Sequence, residues 1–190
     1  MAPEDRRTRE RAARRRLIVD TARQVAEAEG WDAVTTRRLS TEIEYSQPVL
    51  YKHFSGMDAV AAAVAIDGFA ELAGLLHTAR AGADTPDEAL TRMARAYLDF
   101  ARDNPAVYDA MFTGRTTLRF AEEDIPPELV AAFEELRQAM SAIAQDADTL
   151  AEVFWAALHG LTSLSRSGRL RSDYERERVD ALIARFCAAP

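Results

Sequence analysis

This chain of 190 residues is short of several things, and each shortage excludes something. It has one cysteine, Cys187, so it can form neither an intramolecular disulfide nor a cysteine-rich metal site. Its longest unbroken apolar run, residues 59–66, is far below the roughly 20 residues of a membrane span, so no membrane partner is expected. The first residues are rich in arginine and hold no apolar core of signal-peptide length, so a cytoplasmic location is expected. Strict polar–apolar alternation never lasts long enough to make a strand. The three histidines, His53, His77 and His159, lack metal-ligand spacing, and no metal or cofactor is expected. Glycine-rich nucleotide loops, nucleophile elbows and paired zinc-binding histidines are all missing. The paired acids Glu122-Glu123 and Glu134-Glu135 sit beside polar or exposed positions. An enzyme is therefore not expected.

What is present is an ordinary globular composition, 48% hydrophobic and 29% charged, in a chain long enough to bury a core unaided. The net charge of −7 argues against binding nucleic acid by bulk charge, but its distribution is uneven. Residues 6–16 hold seven arginines (Arg6, Arg7, Arg9, Arg11, Arg14, Arg15, Arg16) against the single acid Glu10. Residues 1–54 carry a net +2 and residues 55–190 a net −9. A basic head on an acidic body points to a head that meets a polyanion, as a flexible arginine arm reaching an adjacent groove; the alternative is a solvated charge run with no partner.

Hydrophobic periodicity predicts an all-α fold of about nine helices. The first spans residues 8–29, with Ile18, Ala22, Val25 and Ala26 as its apolar stripe and Gly30 as its stop. Two short helices follow at 36–43 and 47–53, the second with Ser46 as its cap and Pro48 in its first turn. A long helix covers 57–80. Thr85-Pro86-Asp87-Glu88 is a capping box that opens a helix carrying Leu90, Met93, Tyr97 and Leu98. Asn104-Pro105 closes it and opens a short helix through Met111 and Phe112. Residues 113–125 read as a loop. Pro126-Pro127 starts the next helix, another spans 149–165, and a second capping box, Ser172-x-x-Glu175, starts the last.

The two short helices at 36–53 are too short to stand alone in water and must be held by packing. Their lengths and three-residue turn fit a helix-turn-helix, whose second helix lies in the DNA major groove. Leu39, Ile43, Val49, Leu50 and Phe54 can form the shared core. Thr36, Arg37, Ser46, Gln47, Tyr51, Lys52 and His53 remain for an outer face that hydrogen-bonds phosphates and base edges.

Thr35-Thr36-x-x-Leu39 followed by Tyr45-Ser46-Gln47-Pro48-Val49-Leu50-Tyr51-Lys52-His53-Phe54 resembles the DNA-binding domain of TetR-family transcriptional regulators. Trp155-x-x-x-His159-Gly160, with Asn104-Pro105 and Met111-Phe112 upstream, resembles the subgroup with a WHG-type C-terminal domain. The resemblance implies a helix-turn-helix DNA-binding domain at residues 10–55 and a helical ligand-binding and dimerisation domain at 56–190. It implies a homodimeric regulator, usually a repressor, that leaves a palindromic double-stranded DNA operator when a small molecule binds. The DNA-binding set would be Thr36, Arg37, Ser46, Gln47, Pro48, Tyr51, Lys52 and His53. Candidate ligand-binding residues are Phe69, Tyr97, Phe100, Tyr108, Met111, Phe112, Phe133, Trp155 and His159. Candidate dimerisation residues are Leu158, Leu161, Val179, Leu182, Ile183 and Phe186. Two positions depart from the family pattern: Glu44 stands where the turn usually has glycine, and Met57 where a lysine is usual. These departures leave open an alternative, a helical interaction module of the same fold that has lost operator binding.

Overall fold

A computed structural model describes residues 3–112 and 125–188, with side chains described from Arg6 onward. Among these residues there are nine α-helices and no strand, as the periodicity predicts. They are α1 (Pro3–Glu29), α2 (Thr36–Glu42), α3 (Gln47–Tyr51), α4 (Met57–Ala81), α5 (Pro86–Asp103), α6 (Pro105–Phe112), α7 (Pro127–Ser141), α8 (Ala147–Arg166) and α9 (Glu175–Phe186). The loop expected at 113–125 lies, except for Ile125, outside the described residues. The described residues form two compact units, 3–68 with 104–112, and 69–103 with 125–188. The domain boundary expected at residue 55 falls inside the first unit.

In the first unit α1 is longer than its apolar stripe requires. Ile18, Ala22, Val25 and Ala26 are all buried. The helix stops at Gly30, whose φ of 84° lies in the left-handed region that favours glycine. A short 3-10 turn at Trp31–Ala33 follows. Its Trp31 is buried, and the indole N–H donates to the Ala106 carbonyl at 2.7 Å. Glu27 accepts hydrogen bonds from the backbone N–H groups of Ala106 and Val107, both at 3.0 Å. A carboxylate thus satisfies N–H groups at the start of α6 that have no partner within the helix. Arg23 donates to the side chain of Asn104 at 2.7 Å. A Cβ on Gly68 would run into Val107 and Met111, so the absence of a side chain there is what lets α4 approach α6.

In the second unit α7 packs on α8, and α5 packs on α7, α8 and α9. Phe69, Leu76, Leu90, Met93, Tyr97, Leu129, Met140, Phe154 and Leu158 are each at most 2% exposed and form its core. The capping box at the start of α5 forms with its return bond shifted by one residue: the Glu88 N–H donates to Thr85 Oγ1 at 3.3 Å, and the Glu88 carboxylate accepts from the N–H of Asp84, the residue before the cap, at 2.9 Å. The second box does not form. Tyr174, not Ser172, precedes α9 and makes no side-chain cap, because Asp173 turns the chain through a φ of 65°. By length and composition α4 could cross a membrane, but half of its apolar window is buried within the fold, as in a core helix.

Candidate nucleic-acid interface

The reading surface is built from short segments held at their ends. Thr35 caps α2 by accepting from the Arg38 N–H at 3.1 Å. Leu39, Ile43, Leu50 and Phe54 are buried and fuse α2 and α3 into one piece, with Val49 half-buried beside them. The turn between the helices closes through the Tyr45 N–H donating to the Ser40 carbonyl at 3.0 Å. Glu44 sits in that turn with a φ of 55°, the left-handed conformation for which the family pattern uses glycine. Ser46 precedes α3 in an extended conformation but makes no capping hydrogen bond, contrary to expectation. Pro48 stands in the first turn of the helix, where its fixed φ fits and its missing N–H leaves nothing to satisfy.

The eight expected DNA-binding residues fall as follows. Arg37, Ser46, Gln47, Pro48, Tyr51 and Lys52 are exposed, and Thr36 and His53 are half-buried. Tyr51 keeps 57% of its surface exposed. Arg38, by contrast, is occupied, pairing with Glu29 at 2.8 Å and Glu42 at 3.0 Å. Met57 is half-buried at the start of α4.

The residue run did not reveal how α1 joins this surface. The structure continues α1 back to Pro3, so the arginines lie on a helix rather than on a flexible arm. Arg15 stacks 4.1 Å from the Phe54 ring centroid, and its Nη1 donates to the His53 carbonyl at 3.2 Å. Arg16 pairs with Asp20 at 2.9 Å and with Asp67 of α4 at 2.7 Å. Arg7, Glu10, Arg11 and Arg14 line a cleft of about 380 Å³ together with Lys52 and His53. Partial burial, then the positive charges of Arg11, Arg14, Arg15 and Lys52, hold the His53 imidazole below its ordinary pKa. The sequence signal for this was the i, i+4, i+7 spacing of Arg7, Arg11 and Arg14 on one helix face.

These elements find counterparts among known proteins. Residues 18–64 match the family described as bacterial regulatory proteins, tetR family, and residues 90–186 match the tetracyclin repressor-like C-terminal domain. An uncharacterized HTH-type transcriptional regulator of Mycobacterium tuberculosis, Rv0681, is 30% identical over 161 residues, covering 81% of this chain and 71% of that protein. The chain belongs to the TetR family. A Bacillus subtilis HTH-type regulator, YobS, is 36% identical over 98 residues, but this match spans 50% of the chain and about half (49%) of that relative. The solved structure of a Rhodococcus protein of unknown function has the same fold, with a TM-score of 0.77 at 24% identity over 91% of this chain and 93% of that one. This TetR-family chain is accordingly a helix-turn-helix transcriptional regulator.

The structure divides the other expected residues. Tyr108, Met111 and Phe112 lie in the first unit, and Phe69, Tyr97, Phe100, Phe133, Trp155 and His159 in the second. Phe69, Tyr97, Phe100, Tyr108 and Met111 are buried, while Phe112, Phe133, Trp155 and His159 are half-buried. The Trp155 indole donates to the Tyr97 hydroxyl at 3.2 Å, and the Tyr108 and Phe112 rings lie 4.7 Å apart. Burial lowers the His159 pKa and favours its neutral form. A groove of about 810 Å³ in the second unit is lined by residues such as Leu150, Val153, Arg185, Phe186 and Cys187, and by none of the nine ligand candidates. Burial, with a hydrogen bond to Asp87, raises the Cys187 thiol to about 11, the opposite of a reactive cysteine.

The dimerisation set needs correction. Leu158, Val179 and Ile183 are 0%, 1% and 5% exposed in the single chain, so they are core and cannot also face a partner. Leu161, Leu182 and Phe186 are half-buried. The large apolar side chains that α8 leaves in the open are Val153 and Leu164, 52% and 40% exposed.

Proposed function

We propose that this regulator is a homodimeric repressor that binds a palindromic operator and leaves it when a small molecule occupies its C-terminal region. The observation that carries the DNA half is the exposed row Gln47, Pro48, Tyr51 and Lys52 along and just after a helix whose other side is the buried Leu50 and the half-buried Val49. A five-residue helix with this division between faces has little to gain from its outer side in stability, so that side is free to read. Gln47 suits a bidentate pair with adenine. Thr36, Arg37, Ser46, Lys52 and His53 suit phosphates and set the register.

Dimerisation is assigned to the stripe Val153, Ala157, Gly160, Leu161 and Leu164 on α8, with Leu182 and Phe186 on α9. The 3–4 spacing of that stripe continues an apolar face beyond what the core uses. Ligand release rests on the C-terminal match to a tetracyclin repressor-like domain. A ligand can drive release only by binding the released form better than the DNA-competent one. The WHG-type assignment of that domain rests on Trp155, His159 and Gly160, and a cytoplasmic location follows from the operator as partner.

Selection of bound duplexes from random sequence tests this reading. A palindromic motif is expected, and Gln47→Ala should relax preference at one base position per half-site while weakening the best site by roughly 1–3 kcal/mol. A chain that selects no motif would support the interaction-module alternative.

A further inference from the structure

The cleft between α1 and the end of α3 is lined by five cationic or titratable side chains, Arg7, Arg11, Arg14, Lys52 and His53, and by one acid, Glu10. Glu10 is already engaged by Arg6 at 3.3 Å. The arginines of α1 divide by their duties. Arg15 and Arg16 hold α1 against Phe54, His53 and Asp67. Among the residues with described side chains, from Arg6 onward, Arg7, Arg11 and Arg14 form no ion pair, although that part of α1 carries Glu10, Asp20, Glu27 and Glu29. With Glu10 engaged by Arg6, the remaining charges of the cleft are of one sign and repel one another, and a bound anion relieves that repulsion. Their span is about 10 Å along the helix axis, from seven residues at 1.5 Å each. A single small anion is too short for that span. A DNA strand presents a charge about every 3.4 Å and matches it with two or three phosphates. Guanidinium groups grip such phosphates with paired N–H donors.

We infer that Arg7, Arg11 and Arg14, on the helical face that α1 extends past Lys52 and His53, hold the phosphates of the DNA strand flanking the bases read by α3. The inference deepens the operator reading and rests on it. It replaces the flexible arm in a groove with a rigid ridge on the backbone. Such a ridge adds affinity and extends the footprint but reads no bases.

The test uses the full-length chain, the variant Arg7→Gln/Arg11→Gln/Arg14→Gln, and two duplexes: the selected operator core alone and the same core with flanks of several base pairs. Affinity is measured against salt concentration, and circular dichroism confirms that the variant retains its helix content and melting temperature. The wild type should bind the flanked duplex more tightly. The variant should lose that gain, keep its selected motif, and show a salt slope shallower by about 2 to 3 per protomer, from about 0.9 per phosphate neutralised. The corresponding triple lysine variant should recover the slope. Should the triple glutamine variant fail to fold, Arg11→Gln alone should show about a third of the slope change. An unchanged slope with an unchanged gain from the flanks overturns the inference while the operator reading stands. Failure of the wild type to bind any selected duplex overturns both.

Discussion

α3 and α8 use their surfaces in opposite ways. α3 has five residues, of which Gln47, Pro48 and Tyr51 are exposed, and the exposed hydrogen-bonding groups Gln47 and Tyr51 set it apart. α8 has 20 residues, and much of what is distinctive about it is apolar. One side of α8 places Ala151, Phe154, Leu158 and Thr162 in the core, and another leaves Val153 and Leu164 in solvent. Polar residues that do not serve the fold announce a task, so α3 could be read from its sequence. Apolar residues serve core and interface alike, so the two faces of α8 could not be separated until packing was known. Buried and exposed leucines look the same in a periodic pattern.

The largest effect that tests this contrast is a charge placed on each class of side chain in the second unit. Ile183 was a candidate for the dimer seam and is in fact 5% exposed inside the unit. Ile183→Asp puts an unpaired carboxylate into the core and should destabilise the chain by about 4 kcal/mol or more. Val153→Glu with Leu164→Glu places charges on side chains already in solvent. That double variant should keep its melting temperature within a few degrees of the wild-type monomer and sediment as a monomer at micromolar concentration. A double variant that still dimerises would move the seam off this stripe.

A second comparison sets two glycines of α4 against each other. In the sequence Gly68 and Gly74 look equally suited to bending or close packing. A Cβ at Gly68 meets Val107 and Met111, whereas one at Gly74 meets nothing within 4 Å. Gly68→Ala should therefore destabilise by about 1–3 kcal/mol through overpacking. Gly74→Ala should be neutral or stabilise by up to about 1 kcal/mol through helix propensity. Chemical denaturation of the two variants measures both, and equal losses would mean that α4 does not approach α6 as closely as described.

Much of the fold was legible because local signals agreed. The stripe at Ile18, Ala22, Val25 and Ala26, the stop at Gly30 and the capping box at Thr85 all behaved as written. The failures share a cause. Ser172-x-x-Glu175 has the letters of a capping box, but the backbone at Asp173 takes another path. The arginine run has the letters of a free arm, but α1 continues through it, and only folding brings Arg7, Arg11 and Arg14 beside Lys52 and His53. A charge run records how many charges there are, while their direction depends on whether the backbone beneath is helical. The candidate ligand residues were the least legible, because a buried aromatic such as Tyr97 or Phe69 serves a core as readily as a pocket.

The polar region allows a smaller test, through His53. Its folded pKa lies below the ordinary value because it is partly buried among cations. The neutral form is thus favoured in the free protein, and stability from this group is present above about pH 6.5 and falls as acid charges the ring. A DNA phosphate beside the ring would act in the opposite direction and favour the charged form. Operator affinity should therefore rise several-fold from pH 8 to pH 6 while stability of the free chain falls slightly. His53→Gln should flatten both trends. If operator affinity keeps the same pH dependence in His53→Gln, the phosphate does not lie at this ring.

The smallest effect concerns the residue where the reading region itself departs from the family pattern. Glu44 holds a φ of 55°, which an L-residue adopts at a penalty of roughly 1–2 kcal/mol. Glycine would remove that penalty but would give the unfolded chain more freedom, a loss of about 0.5–1 kcal/mol. Glu44→Gly should therefore raise stability by no more than about 1.5 kcal/mol, a change visible in a denaturant midpoint with an unchanged slope. The same substitution removes an exposed carboxylate from the turn that leads into α3, so operator affinity should also rise, and more so at low salt. Glu44→Asn separates the two effects. Asparagine tolerates the left-handed conformation and carries no charge, so it should reproduce the gain in affinity. If Glu44→Gly tightens binding and Glu44→Asn does not, relaxation of the turn rather than loss of charge governs how α3 is presented. If both leave the operator unaffected, Glu44 faces away from the DNA, and its place in the turn matters to the fold alone.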